Sequence, residues 1–126
     1  MTEESPKNIL IMDDELLVVR FLERLLEPEG YRITTAVDGK KGLQTFRADP
    51  ADLVVVDLFM PERDGLEVIG ELRKKYPEVP ILVISGGGKV SVDLLPVPRS
   101  LGADRVLQKP LEVDEVLTAV GELLGA

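Results

Sequence analysis

Short, continuous apolar runs alternate along the chain with longer segments that carry apolar residues on one face. Strands are predicted at 8–12, 31–36, 52–56, 81–84 and 104–107, and helices at 15–27, 39–48, 66–76 and 111–124. Continuous rather than alternating apolar strands are typical of a parallel sheet that is buried on both faces. Helices between such strands act as crossover connections. The pattern therefore predicts an α/β fold, a doubly wound parallel sheet of five strands in the order 2-1-3-4-5 flanked by five helices.

The segment between the fourth and fifth strands fits this pattern least well. It begins with glycines at 86–88 and contains Pro96 and Pro98. Two prolines cannot both lie inside a regular helix, because each lacks an N–H donor and clashes with the preceding turn. We expect a long glycine loop followed by a short, irregular fourth helix that ends near Gly102.

Composition limits the possible classes of site. The 126 residues are the usual size of one domain, so 1–126 is predicted as a single domain with a flexible tail at 1–6. The chain has no cysteine and no histidine, which excludes disulfides, thiol catalysis and the commonest general base. Any metal must be held by oxygen, which indicates Mg²⁺, Ca²⁺ or Mn²⁺.

The charge and the hydropathy limit the possible partners. A net charge of −8 repels nucleic-acid phosphates, so direct contact with DNA or RNA is not expected. No apolar run approaches the roughly 20 residues of a membrane span, and the start of the chain lacks the apolar stretch of a signal peptide. A cytoplasmic location without membrane insertion is therefore the expectation.

Polar and charged residues follow four of the five predicted strands. Ligands of doubly wound sheets bind outside the carboxyl ends of the strands. Asp13, Asp14 and Glu15 follow the first strand, Asp57 the third, Ser85 the fourth and Lys109 the fifth. Taken singly, these residues are ordinary helix caps, turn residues or solvated charges. Together they place carboxylates, a hydroxyl and an ammonium at one edge of the sheet.

Such a set favours phosphoryl transfer onto a carboxylate. Neighbouring carboxylates repel each other, and a hard divalent cation removes that cost. Mg²⁺ prefers oxygen ligands and leaves room for a phosphate. An aspartate can then attack a phosphoryl group to form an acyl phosphate, while the metal and a lysine stabilise the transferring oxygens. A serine hydroxyl can hydrogen-bond the phosphate.

These residues resemble the receiver domain of two-component response regulators, which has a flavodoxin-like or CheY-like fold. The set consists of Asp13-Asp14, Asp57, Ser85 and Lys109-Pro110. The stretch from Asp57 to Glu67, D-L-F-M-P-E-R-D-G-L-E, is similar to the phosphorylation loop of that family. The resemblance covers residues 8–124.

The resemblance implies a role for each of these residues. Asp57 would be the phosphoacceptor and a metal ligand. Asp14 would bind Mg²⁺ directly, and Asp13 mainly through water. The backbone carbonyl of Phe59 would be a further ligand, and Mn²⁺ could replace Mg²⁺.

The remaining two residues would respond to the phosphate. The Ser85 hydroxyl would move toward it. Lys109 would pair with Asp57 before phosphorylation and with the phosphate afterwards, and the Lys109-Pro110 bond would be cis.

The implied function is a signalling switch rather than a turnover enzyme. A sensor histidine kinase or a phosphotransfer protein would supply the phosphoryl group in a reaction that depends on Mg²⁺. Phosphorylation would then change contacts with an unidentified downstream protein, and the domain would act as a monomer or as a phosphorylation-dependent dimer.

Two positions give rise to further hypotheses. Val106 stands where the family usually has Tyr or Phe, and valine has one short, stiff torsion. We therefore expect the output to use the 86–88 loop and the irregular helix instead. Phe59 is expected to border the site entrance and to lengthen the life of the acyl phosphate by restricting water. The alternative for Phe59 is a partly exposed aromatic without a kinetic role.

Three other functions agree less well with the sequence. An Asp-nucleophile phosphatase resembles a D-x-D pattern, but Phe59 stands where its second aspartate is needed. A nucleotide-binding loop at 86–89 lacks its first glycine, because position 83 is Val, and Val90 replaces its Ser or Thr. A binding module that works without phosphorylation would not need the intact Asp13, Asp14, Asp57 and Lys109.

Overall fold

The computed structural model describes residues 6–58, 65–85 and 102–125, in which strands and helices follow one another along the chain. The elements are β1 (Asn8–Met12), α1 (Leu16–Leu26), a 3₁₀ turn (Glu27–Glu29), β2 (Arg32–Ala36), α2 (Gly39–Ala48), β3 (Leu53–Asp57), α3 (Gly65–Lys75), β4 (Ile81–Ser85), β5 (Arg105–Gln108) and α4 (Val113–Leu123). The α/β prediction is confirmed.

The five strands form one parallel sheet in the order β2-β1-β3-β4-β5, as predicted. Met12 pairs with Ala36 on one side and with Val56 on the other. On the far side of β3, Asp57 pairs with Ile84. This register brings the carboxyl ends of the three central strands to nearly the same level.

Backbone hydrogen bonds continue this alignment beyond the strand ends. The Asp13 N–H donates to the Ala36 carbonyl at 3.1 Å, and the Leu58 N–H donates to the Ile84 carbonyl at 2.8 Å. The Lys109 N–H donates to the Ser85 carbonyl at 2.9 Å. The backbone at the end of the sheet is therefore held in place across its width.

The core has two layers, one on each face of the sheet, because successive strand residues point to opposite faces. Leu10, Val54 and their neighbours pack with residues of α2 and α3 in one layer. Ile9, Val55 and their neighbours pack with residues of α1 and α4 in the other. The buried strand residues explain why the apolar runs are continuous rather than alternating.

The second helix confirms the inward positions that its pattern predicts. Leu43 and Phe46 are both buried, and the Phe46 ring meets Tyr76 edge to face with 4.6 Å between centroids. Aromatic pairs of this geometry add to the stabilisation from burial. This contact joins α2 to the end of α3.

Some predicted boundaries are wrong by one or two residues. Asp57 and Ser85 are predicted just after their strands, but they are the last residues of β3 and β4. The ladder extends to them because Asp57 pairs with Ile84 and Ser85 with Gln108. The last helix begins at Val113 rather than at residue 111, with Glu112 as its extended N-cap.

Several predictions fall on residues that the structure does not describe. The irregular helix, the glycine loop at 86–88, Pro96 and Pro98 belong to 86–101, and the tail at 1–6 is described only at Pro6. The described residues contain four α-helices of the five predicted. No helix within the described ranges has both the length and the apolar character needed to cross a membrane.

Candidate functional site

Three aspartates meet at the carboxyl end of the sheet. Asp13 and Asp14 follow β1, and Asp57 ends β3. Each offers one carboxylate oxygen, and the three oxygens lie within 4.8 Å of one another. Asp13 is 1% exposed and Asp57 is 3% exposed, whereas Asp14 is open to solvent. The structure thus brings together the three carboxylates that the sequence predicts, two of them buried.

The two oxygens of Asp13 have different surroundings. Oδ1 accepts a hydrogen bond from the Glu15 N–H at 2.8 Å, which fixes the orientation of the carboxylate. Oδ2 lies 3.4 Å from the Lys109 ammonium, but it has no hydrogen-bond partner among the described residues. Burial raises the pKa of the Asp13 carboxyl group, and the Glu15 N–H and the Lys109 charge oppose that rise only in part.

Lys109 reaches the aspartates from the loop after β5. Its Nζ lies 3.5 Å from Asp57 Oδ2 and forms a short ion pair with Glu15 Oε1. Burial alone would lower the pKa of this lysine, but the hydrogen bond to Glu15 and the charges of Asp13 and Asp57 outweigh it, so the pKa is raised. The side chain therefore stays protonated and places a positive charge beside the carboxylates.

The peptide bond after Lys109 is cis, as the resemblance implies, and Pro110 follows it.

Ser85 supplies a buried hydroxyl. The residue is 0% exposed at the end of β4, and its Oγ makes no hydrogen bond within the described part of the chain. Leaving a buried hydroxyl without a partner costs about 1–3 kcal/mol, which an oxygen-rich ligand could recover. This observation is independent of the aspartates and is expected of a site for an anion.

Gly65 allows the first turn of α3 to lie against the end of β3. Its N–H donates to the Leu58 carbonyl at 2.9 Å. A Cβ atom at this position would lie 2.6 Å from the Asp57 carbonyl oxygen and 2.7 Å from Leu58 Cα. In the sequence Gly65 belongs to the stretch that is similar to the phosphorylation loop, and the structure shows that it also permits close contact with the backbone of Asp57.

Three other predicted positions have different outcomes. Glu15 follows the first strand, and the sequence predicts no role for it, although its position next to the Asp pair is a signal for one. Phe59, predicted as a metal ligand and entrance residue, lies outside the described residues. Val106 is half-buried and packs against the core layer that contains α2 and α3, while the output route proposed to replace it falls on 86–101.

The donor set is suited to a hard divalent cation. All candidate ligands in the described residues are carboxylate oxygens, which Mg²⁺, Mn²⁺ and Ca²⁺ prefer. Asp13 Oδ2 is buried and has no hydrogen-bond donor in the described ranges. This oxygen could bind a cation directly or accept a hydrogen bond from a metal-bound water. The residues present therefore fit such a metal, with the lysine and serine beside it for an anionic ligand.

A comparison with protein families finds a match over residues 9–121, to the model described as "Response regulator receiver domain". Response regulator MprA of Mycolicibacterium vanbaalenii is 38% identical over 119 residues, which are 94% of this chain and 51% of that protein. The alkaline phosphatase synthesis transcriptional regulatory protein PhoP of Bacillus subtilis is 36% identical over 94% of this chain and 48% of its own length. The chain thus spans about half the length of these curated relatives.

Solved structures give the same match. The receiver domain of NtrX from Brucella abortus superposes with a TM-score of 0.87 at 28% identity, covering 94% of this chain and 98% of that one. The receiver domain of Francisella response regulator 1452 gives 0.86 at 28% identity, covering 94% and 97%.

Proposed function

Because the chain belongs to the family of response regulator receiver domains, we propose that it accepts a phosphoryl group on Asp57 in a reaction that depends on Mg²⁺. The acidic site fits phosphorylation on an aspartate. The observation that carries the assignment to Asp57 is its place in the site. It is buried at the end of β3, its carboxylate is grouped with those of Asp13 and Asp14, and Lys109 Nζ lies 3.5 Å away.

In the proposed reaction, a carboxylate oxygen of Asp57 attacks the phosphorus atom of the donor. A bond forms from that oxygen to phosphorus, and the bond from phosphorus to the donor breaks with its electron pair leaving on the donor. Lys109 moves onto an oxygen of the transferred group and stabilises its charge. The Ser85 hydroxyl donates a hydrogen bond to another phosphoryl oxygen.

Asp13, Asp14 and Asp57 would hold the Mg²⁺ ion, and the same carboxylates would accept Mn²⁺ in its place. When bound, the metal supplies positive charge that offsets the charge of the carboxylates and the phosphoryl oxygens. The Phe59 carbonyl, which the family resemblance adds as a ligand, remains part of the proposal.

The proposed role is a switch within a signalling pathway. The phosphoryl donor would be a sensor histidine kinase or a phosphotransfer protein, and the phosphorylated domain, as a monomer or a dimer, would contact a downstream protein.

We propose residues 1–126 as one domain, located in the cytoplasm, where phosphorylated kinases and Mg²⁺ are both present. PhoP is named as a transcriptional regulatory protein, and this supports regulation of transcription as an output. The net charge of −8 does not favour direct contact of this chain with DNA.

The alternative functions have less support. A phosphatase of the D-x-D class lacks its second aspartate at Phe59, and the family match favours a receiver domain over an enzyme. A binding module that works without phosphorylation would not require two buried carboxylates grouped with a third beside a partly buried lysine. That arrangement is costly without a charged ligand.

The test is incubation with Mg²⁺ and acetyl phosphate, followed by intact mass spectrometry. We expect the mass of one phosphoryl group to be gained by the wild type and lost in Asp57→Asn. Asp114→Asn, on the exposed first turn of α4, removes the same charge outside the site and should be phosphorylated like the wild type. Equal phosphorylation of Asp57→Asn and the wild type would refute the assignment.

A further inference from the structure

We propose that Glu15 is a positioning residue that holds the Lys109 ammonium at the outer edge of the acidic site until a phosphoryl group is present on Asp57. The inference rests on the proposed function and adds a residue to its machinery. The observation behind it is the ion pair between Glu15 Oε1 and Lys109 Nζ, which joins residues 94 positions apart in sequence.

The backbone of Glu15 is fixed, and its side chain is not used by its own helix. Its N–H donates to Asp13 Oδ1, and its carbonyl accepts the N–H groups of Val18 and Val19 at 3.1 Å. Glu15 is the N-cap of α1, yet no capping hydrogen bond from its side chain is found in the described residues. The carboxylate reaches across to the loop after β5 instead, so its contact there cannot be explained as helix capping.

Three carboxylates lie within ion-pair distance of the lysine, and Glu15 also accepts a hydrogen bond from it. Nζ lies 3.4 Å from Asp13 Oδ2 and 3.5 Å from Asp57 Oδ2, whereas charge-assisted hydrogen bonds are about 2.7–2.9 Å long. Glu15 Oε1 accepts a hydrogen bond from the same Nζ. In this state the ammonium is hydrogen-bonded to Glu15, while it also forms the longer ion pair with Asp57 that the family resemblance implies.

Glu15 and Lys109 differ in exposure to solvent, and this difference favours replacement of Glu15 by another acceptor of the lysine. The Lys109 side chain is 11% exposed, and the Glu15 side chain is 59% exposed. When the pair separates, water can solvate the carboxylate of Glu15, whereas Lys109 must find another acceptor inside the site. A phosphoryl group on Asp57 offers such acceptors, and it carries more negative charge than one carboxylate. Lys109 therefore exchanges Glu15 for a phosphoryl oxygen. The free energy needed to break the ion pair with Glu15 opposes this exchange.

Glu15→Gln should lower this cost. With Mg²⁺ at saturation, we expect beryllofluoride, a phosphoryl mimic, to bind the variant roughly two- to fivefold more tightly than the wild type, the size expected for losing a partly exposed ion pair. Without ligands, the NMR signals of the Lys109 ε-methylene should shift, because the ammonium loses its nearest partner. A purely structural role for Glu15 would change neither affinity nor these signals.

Removal of any nearby negative charge also favours an anion, so two controls are needed. Glu112→Gln, at the exposed N-cap of α4, removes the same charge and should leave beryllofluoride affinity near the wild-type value. In a double-mutant cycle with Lys109→Met, the effect of Glu15→Gln should disappear. If Glu112→Gln tightens binding equally, or if the effect of Glu15→Gln persists without Lys109, the proposal is overturned.

Failure of this inference can be told apart from failure of the proposed function. The wild type is incubated with acetyl phosphate in the same series. If it gains no phosphoryl group, the proposed function fails and this inference with it. If it is phosphorylated on Asp57 while Glu15→Gln binds beryllofluoride like the wild type, only the role of Glu15 is refuted.

Discussion

Replacing Gly65 with alanine tests whether the close approach of α3 to the backbone of Asp57 is required. The added Cβ would lie 2.6 Å from the Asp57 carbonyl oxygen, which is 0.4 Å inside the 3.0 Å limit that real Cβ atoms respect. The nearest atoms belong to the backbone of Asp57 and Leu58, so no side chain can rotate away to relieve the contact. Either α3 or the end of β3 must move.

The expected magnitude follows from two opposing contributions. Overpacking in a well-packed region costs about 1–3 kcal/mol. Alanine is better than glycine in a helix by about 0.5–1 kcal/mol, less at a helix end. We therefore expect Gly65→Ala to lower the free energy of unfolding by about 1–2 kcal/mol. Gly70→Ala, in the same helix with nothing within 4 Å of its Cβ, should raise it by about 0.5–1 kcal/mol.

Urea denaturation of both variants measures these values, with equal m-values as the check that the unfolded state is unchanged. Phosphorylation by acetyl phosphate should also slow in Gly65→Ala, because the displacement falls on the residue that carries the nucleophile, and should be unaffected in Gly70→Ala. If Gly65→Ala proves as stable as Gly70→Ala and reacts at the wild-type rate, the contact does not position Asp57.

Two further predictions concern single side chains. The Arg73 guanidinium donates hydrogen bonds of 2.6–2.8 Å to the Gly102 and Val79 carbonyls and to the Asp104 carboxylate. Arg73→Lys should therefore lower the free energy of unfolding, measured by urea denaturation, by about 1–3 kcal/mol. A decrease below about 0.5 kcal/mol would contradict this. Burial raises the pKa of Asp13, so without metal the folded protein binds this proton more tightly than the unfolded chain, and stability falls as pH rises above the ordinary value of 3.8. Asp13→Asn should therefore have a higher Tm than the wild type at pH 7 in EDTA and a smaller rise in Tm on adding Mg²⁺. A lower Tm in EDTA would show that the buried carboxylate is compensated within the protein.

The sequence was sufficient to predict the sheet and the chemical groups at its edge, because both follow from local patterns. The apolar run of β3 identifies a buried strand, and the strand order of a doubly wound sheet then places Asp57 near Asp13. The pairing of Glu15 with Lys109 could not be predicted in this way. It depends on side-chain rotamers across 94 residues of sequence, which no local pattern encodes. The role of Gly65 was missed for a similar reason, since it depends on how closely two elements pack.

The backbone of the site is fixed, while Ser85 Oγ and Asp13 Oδ2 lack hydrogen-bond partners among the described residues, and this contrast indicates which part moves. Backbone hydrogen bonds to the neighbouring strand hold Leu58 and Lys109 at the carboxyl end of the sheet. The Ser85 hydroxyl nevertheless has no hydrogen bond to any described residue. A preorganised site of this kind binds its ligand with little backbone rearrangement, because the ordering cost has already been met in folding. The exchange of partners is therefore expected in long side chains. Lys109 is the side chain best placed to make it, because its partner Glu15 is exposed to solvent and can be released to water.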